Sequence, residues 1–209
     1  NVPGAKAELI LSTGERVVLD RKNVVIEGLN EMGIRNDSVI GLDYATAKVE
    51  GKEIVYNTMR VPVGGFYQLA LSDGSKVWLN SMTELRFPVT FTGGQRKVYL
   101  TGEAYFEVTH DTVHPFIVET PDRMEVKVYG TEFNMNTYEK GVVQTVLVKG
   151  KVGVRDGVHG KEVMLASEQM AVYEAGIGKI QVKNVDPYKY IAWKDGEFVF
   201  ERETIEEIM

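Results

Sequence analysis

Residues 71–80 read LSDGSKVWLN, and residues 11–20 read LSTGERVVLD, the same ten-residue device 60 positions apart. In the later copy, two runs of alternating apolar and polar residues flank Asp73-Gly74. That dipeptide is suited to the positive-φ positions of a primed hairpin turn. Leu69 and Leu71 share one face before the turn, and Val77 and Leu79 share it after. The first copy keeps Leu9, Leu11, Gly14, Val17 and Leu19, while Thr13 replaces the Asp and Val18 replaces Trp78. Turn and buried face are conserved between the copies, so the device reads as architecture. A spacing of 60 exceeds the usual solenoid period, which favours a duplicated hairpin unit over a long array.

The rest of the chain follows the same pattern. Period-two runs broken by Gly, Asp or Asn predict strands near 7–11, 16–19, 24–26, 53–56, 66–71, 76–80, 84–91, 96–100 and 103–108. Further strands are predicted near 115–119, 124–129, 132–138, 142–148, 151–155, 161–165, 168–173 and 179–183. Pro88 inside one run predicts an edge strand or a bulge there. So many short strands predict a mainly β fold: a twisted two-sheet antiparallel sandwich or roll built from duplicated hairpin units. A β-solenoid-like roll is the alternative.

Composition narrows the function classes. The chain has 209 residues, 44% of them hydrophobic, and a formal net charge of −6. An acidic chain without basic clusters is a poor match for nucleic acid or an anionic membrane surface. Cysteine is absent, which removes thiol catalysis, Cys-based zinc sites and iron–sulfur clusters without assigning a compartment. No apolar stretch is long enough to span a bilayer as a helix.

The sequence carries no catalytic constellation. His110 and His114 in HDTVH have metal-pair spacing only on a helix, and Pro115 with flanking strands makes this segment a loop. In GEAYFEV (102–108), Glu103, Tyr105 and Glu107 share one face, predicting a half-buried strand with a polar outer side. Two carboxylates four residues apart on a strand stand about 13 Å apart, wide even for an inverting glycosidase. Thr131 in YGTEFNMNTY has no local histidine, and there is no Gly-x-Ser-x-Gly elbow. The glycines of PVGGF (62–66) and TGG (92–94) lack the strand-to-helix context and lysine of a phosphate loop. Most aromatics, including Trp78, Phe87, Phe91, Tyr99, Phe106, Phe116 and Phe133, fall at alternation positions that predict core packing.

The pattern changes near residue 184. VDPYKYIAWKDG places Asp186 as N-cap and Pro187 at the first position of a short helix ending before Gly196. EFVFE then reads as a strand, and TIEEIM opens a second helix with Thr204 and Glu207 at capping-box spacing. One helical turn cannot stand alone, so the chain is expected to be a piece of a longer protein, cut within a further domain.

Five segments in order, RVPVGGFYQLALSDGSKVWLNSMTELRFP, RKVYLTGEAYFEV, PFIVET, VKVYGTEFNMNTY and QTVLVKGKVGV, resemble the FecR family of sigma-factor regulators, or anti-sigma factors. The segment VDPYKYIAWKDGEFVFERETIEEIM is similar to the start of the secretin/TonB short N-terminal-like domain that follows in Bacteroidetes members. The resemblance implies an N-terminal β extension with the hairpin repeat (1–57), a FecR-like β domain (58–183) and the start of a truncated α+β signalling domain (184–209). It implies a non-enzymatic, cofactor-free periplasmic region of a single-pass inner-membrane protein. Such a region would relay the state of an outer-membrane TonB-dependent transporter to an extracytoplasmic-function sigma factor. The partners implied are the transporter's N-terminal signalling domain and, through a cytoplasmic region not in this sequence, the sigma factor. Phe198, Val199 and Phe200 are the strand residues available for the transporter contact. A non-catalytic carbohydrate-binding β-sandwich is the rival reading, and it requires aromatics presented on an exposed face.

Overall fold

The structure, a computed structural model, describes residues 7–19, 29–30, 32–37, 40–49, 53–197 and 199. Both copies of the repeated device fold as hairpins closed by the same two hydrogen bonds. Leu11 N donates to Glu15 O at 2.9 Å and Gly14 N to Leu11 O at 2.9 Å. Leu71 N donates to Ser75 O at 2.8 Å and Gly74 N to Leu71 O at 2.9 Å. Within each loop only the glycine has positive φ, +87° at Gly14 and +80° at Gly74. The loops therefore turn on a single left-handed residue, and the primed turn expected at Asp73-Gly74 is corrected. Asp73 braces the loop instead: Oδ1 accepts Ser75 N at 3.0 Å and Oδ2 accepts the Ser75 hydroxyl at 2.7 Å. Residues 120–124 repeat the two bonds with Arg123 as the left-handed residue, at φ +58°.

Among the described residues eighteen strands follow in order: β1 (Ala7–Ile10), β2 (Arg16–Leu19), β3 (Arg35–Asp37), β4 (Gly41–Asp43), β5 (Tyr56–Val61) and β6 (Tyr67–Ala70). Next come β7 (Lys76–Leu79), β8 (Thr83–Pro88), β9 (Arg96–Thr101), β10 (Glu103–Glu107), β11 (Phe116–Glu119) and β12 (Met124–Val128). The last are β13 (Glu132–Asn136), β14 (Val142–Lys149), β15 (Val152–Asp156), β16 (Glu162–Leu165), β17 (Gln169–Glu174) and β18 (Lys179–Asn184). They form two nine-stranded sheets. The first runs β16-β15-β12-β11-β9-β8-β5-β1-β2 and the second β18-β17-β14-β13-β10-β7-β6-β4-β3. The expected two-sheet architecture holds, with one parallel pair in each sheet, β9 with β11 and β4 with β6. The two hairpin copies lie in different sheets.

Other expectations need adjustment. β8 is interior, between β5 and β9, so Pro88 does not mark an edge. It ends the strand opposite Tyr56, past the last β9 pairing at Arg86–Tyr99. Because Val89 N bonds back to Val55 O on the β5 side, the N–H that proline lacks would point where that ladder has ended. Of the run predicted near 53–56 only Tyr56 is in a strand, which continues to Val61 instead, and β3 and β4 were not anticipated. The strand near 24–26 lies outside the described residues.

Alternating residues of both sheets make one apolar core. Phe106 stacks on Phe133 at 5.0 Å within the second sheet and reaches across to Phe116 at 6.1 Å. Buried polar links also join the sheets. Asn57 Nδ2 donates to the Tyr44 hydroxyl at 3.0 Å, and burial holds that phenol well above the usual tyrosine range. Arg96, 3% exposed, donates from Nη1 to Asp73 Oδ2 at 2.7 Å and to Thr109 O at 2.9 Å, and from Nε to His114 O at 2.9 Å. Asp156, fully buried, accepts the Tyr173 hydroxyl at 3.2 Å.

Two predictions follow from these links. Asp73→Asn leaves the Arg96 guanidinium buried without its counter-charge, and urea unfolding is expected to show a loss of about 3–5 kcal/mol. A loss below about 1 kcal/mol would mean the pair is not a structural tie. Burial raises the Asp156 carboxyl, but His159, the Val158 and His159 N–H groups and the Tyr173 hydroxyl lower it further, to about 2. The unfolded value is about 3.9, so the stability contributed by ionised Asp156 is complete above about pH 5 and is lost as pH falls toward 2. Asp156→Asn is expected to flatten that acid decline in urea midpoints while lowering the midpoint at neutral pH.

Candidate interaction surface

Part of the outer face of the second sheet is covered. A cross-strand row runs Gln68, Trp78, Tyr105, Asn134, Val146, Met170. Its last four members are buried, Tyr105 at 4% exposure and Asn134 at 2%. The polar outer side predicted for GEAYFEV is therefore corrected: Glu103 and Tyr105 are buried, and only Glu107 is exposed.

The C-terminal segment contributes to this cover. After β18 the chain forms α1 (Tyr188–Ile191) and a 3-10 turn (Ala192–Asp195), ended by Gly196 at φ +78° as the sequence predicts. Asp186 Oδ1 accepts Tyr188 N at 3.1 Å, although the helix begins one residue later than expected and Pro187 occupies its N-cap. Trp193 meets Phe66 edge-on at 6.0 Å. Lys194 Nζ stands 5.4 Å from the Tyr105 ring centre, and Trp78 packs edge-on against the same ring at 5.5 Å. The Tyr105 hydroxyl donates to Glu132 Oε2 at 3.1 Å, and burial followed by that carboxylate pushes its pKa far above the usual range. Glu103 accepts from Asn80 Nδ2 at 2.8 Å and Asn134 Nδ2 at 3.0 Å. Trp193 Nε1 and Asn134 Oδ1 are buried without a hydrogen-bond partner among the described residues.

The first sheet presents the opposite picture. Its outer face carries a cross-strand row of Arg16, Ile10, Thr58, Arg86, Tyr99, Glu119, Glu125, Arg155 and Glu162. Arg60 pairs with Glu84 at 2.7 Å, and Lys97 pairs with Glu119 and, at 3.0 Å, with Glu125. Arg86 lies over the Tyr56 ring at 4.0 Å and near the Tyr99 ring at 5.1 Å. Trp78 and Tyr99 thus face outward, against the expectation that they pack in the core.

The histidine pair predicted as a loop is one. His114 Nδ1 lies 2.8 Å from Asp111 Oδ2, while Asp111 Oδ1 accepts Val113 N at 2.8 Å and His114 N at 3.0 Å. These bonds, His114 first, hold the Asp111 carboxyl well below its ordinary value. Asp156-Gly-Val-His159 repeats the geometry, with His159 Nδ1 2.6 Å from Asp156 Oδ2. The recurring Asp-x-Val-His string is a signal that the sequence reading passed over. Among the described residues no group of three or more His, Cys, Asp or Glu could hold a metal ion, and no helix is long and apolar enough to cross a membrane. Val199 is 39% exposed and in no strand, as is Glu197, so the EFVFE strand does not form at those two positions. Phe198, Phe200 and the predicted helix at 204–209 lie outside the described residues.

The model of the FecR protein family matches residues 57–153. Two crystal structures of a candidate anti-sigma factor from Parabacteroides distasonis ATCC 8503 are similar to the chain. One, at 34% identity and TM-score 0.64, covers 72% of this chain, which in turn covers 70% of that one. The other has 34% identity and TM-score 0.65, with coverages of 73% and 71%. No curated protein matches.

Trp193→Ala is expected to loosen the C-terminal segment from the second sheet. The chain has two tryptophans, so Trp78 then reports alone, and its emission should shift to the red as water reaches the Tyr105 face. Limited proteolysis should cut faster beyond residue 185. Unchanged cutting would show that the Trp193–Phe66 contact does not hold the segment.

Proposed function

The chain belongs to the FecR family, and from that footing we propose that it is the signal-receiving region of an anti-sigma factor. The observation behind this reading is the similarity, at 34% identity over most of both chains, to a candidate anti-sigma factor. In the proposed arrangement the region stands in the periplasm, carried by an inner-membrane protein. It reads the state of a TonB-dependent outer-membrane transporter through the transporter's N-terminal signalling domain, and the message reaches an extracytoplasmic-function sigma factor held elsewhere in the whole protein. The chain supplies binding surface and carries out no reaction.

The C-terminal segment gives this reading a physical route. Residues 184–209 would begin the small domain that meets the transporter, with Phe198, Val199 and Phe200 at the contact. That domain would be joined to the β body through Trp193 on Phe66 and Lys194 on Tyr105. A partner pulling or repacking the small domain would therefore act on a segment seated on the second sheet. These contacts are between rings or of an ammonium over a ring, and Trp193 Nε1 has no hydrogen-bond partner among the described residues, so displacing this cover would cost less than opening the core.

The test is calorimetric titration of the chain, extended through its whole C-terminal domain, with the signalling domain of the transporter encoded beside it. Saturable binding that is lost on deleting residues beyond 185 is expected. A well-folded extended protein that shows no binding would overturn direct reception.

A further inference from the structure

On the exposed face of the first sheet, Arg86 is held between two aromatic rings. Arg60 and Lys97 have carboxylate partners. Arg86 is exposed and meets no carboxylate among the described residues. Its guanidinium is instead held by two aromatic rings, 4.0 Å from the centre of Tyr56 and 5.1 Å from that of Tyr99, the rings themselves 6.1 Å apart. A guanidinium stacked in this way is fixed in orientation while its in-plane N–H donors stay available, a pre-organised fork for a carboxylate.

The fork opens on a groove. An open cleft of about 640 Å³ is bounded by Tyr56, Thr90, Thr92, Gln95, Lys97 and Tyr99. At Tyr99 it meets a second cleft of about 340 Å³, the one that Arg86 lines with Glu84 and Glu119, and at Gln95 and Lys97 a third of about 350 Å³. The third adds Lys127 and Arg155. From β8 to β15 the sheet order is β8-β9-β11-β12-β15, a span of about 19 Å at the usual strand spacing. Across the three clefts the charged lining is Arg86, Lys97, Arg123, Lys127 and Arg155 against Glu84, Glu119, Glu125 and Glu162, a balance of +1. That is non-acidic on a chain of net charge −6, yet far too weak for a nucleic acid backbone.

We propose that this groove binds a short acidic oligosaccharide of the uronic-acid type, one ring carboxylate seated on Arg86 between Tyr56 and Tyr99. The groove crosses interior strands, whose backbone groups are already paired, so an extended peptide could not add itself as a strand. Its lining offers hydroxyl and amide groups at Thr90, Thr92, Gln95 and the two tyrosines beside the apolar Ile54, Pro88 and Phe91, a mixed surface that can meet both the hydroxyls and the C–H faces of a sugar. Burial, then Tyr99, raises the Tyr56 pKa against the pull of Arg86, so Tyr56 remains a neutral hydroxyl donor. This site lies on the sheet opposite the C-terminal segment, and the proposal does not depend on the anti-sigma reading.

The experiment titrates trigalacturonate into the isotope-labelled chain by NMR, with maltotriose as the uncharged counterpart and tetraglutamate as the acidic peptide. Saturable trigalacturonate binding is expected, with shifts centred on Tyr56, Arg86 and Tyr99 and affinity at least tenfold above both controls. Arg86→Gln should weaken it at least tenfold, whereas Arg16→Gln on the same face should not. If Arg86→Gln lowers the melting temperature, the map of shifts in the unaltered protein decides. Equal binding of maltotriose overturns recognition of the carboxylate. Preferred binding of tetraglutamate makes the occupant a polypeptide and overturns the proposal, as does the absence of saturation by trigalacturonate at millimolar concentration.

Discussion

The Arg96–Asp73 pair sets the alignment on which the rest of the sandwich depends. Apolar burial drives two nine-stranded sheets together but has no direction, so it tolerates many relative placements. A buried guanidinium with directed donors does not. Arg96 starts β9 in the first sheet and grips the turn between β6 and β7 of the second. Its other bonds catch the carbonyls of Thr109 and His114, and the Asp111 turn positions His114 for that grip. Asp73 meanwhile orders its own loop through Ser75, whose hydroxyl oxygen accepts Thr109 N at 3.0 Å. One ion pair therefore ties the repeated hairpin, a strand start and a long loop into a single arrangement. The Asn57–Tyr44 and Asp156–Tyr173 links do the same work elsewhere between the sheets. Such links stand at the limit of what burial permits: each is costly if one partner is removed, which makes it a strong constraint on which packing is allowed.

These links were also the least legible part of the sequence. The hairpins could be read because their turns need a left-handed residue, and the glycines at 14 and 74 advertise it. Arg96 opens a strand beside Lys97, and nothing in a single chain says that one charge faces the core and the next faces water. Asn57 hid β5 in the same way, since YNTMRV alternates correctly only if the asparagine counts as an inward residue. β4 is three residues long and runs parallel to β6, so no local hairpin announces it. Gly41 permits that approach, because a side chain there would fall 1.9 Å from the Gln68 carbonyl.

The outward positions were misread for a related reason. Alternation tells which residues share a face, but not whether another part of the chain covers it. Glu103 and Tyr105 look solvent-facing beside Ala104 and Phe106, and so they would be in an isolated sheet. The segment after β18 changes that by packing Trp193 and Lys194 onto Phe66 and the Tyr105 ring. The same pattern at Tyr56, Arg86 and Tyr99 lies on a face with no such cover among the described residues, and the three side chains support one another instead. One pattern thus yields a buried interface on one sheet and an open groove on the other.

That asymmetry bears on how a binding protein could use its two faces separately. The covered face is held by ring contacts and one ammonium over a ring, interactions of about 0.5–2 kcal/mol each, weak enough for a partner at the C-terminal end to displace. The core behind it is held by close apolar packing and buried polar pairs, which do not yield at that cost. Displacement of the segment would then expose the Trp78–Tyr105 row without unfolding the sheets. The open groove needs no such step, because its guanidinium is already stacked in place. A fold this rigid between two outer faces favours independent occupation of each. Coupling between them would need a rearrangement of the links at Arg96, Asn57 and Asp156, and any ligand that changed the second face from the first would have to disturb those bonds.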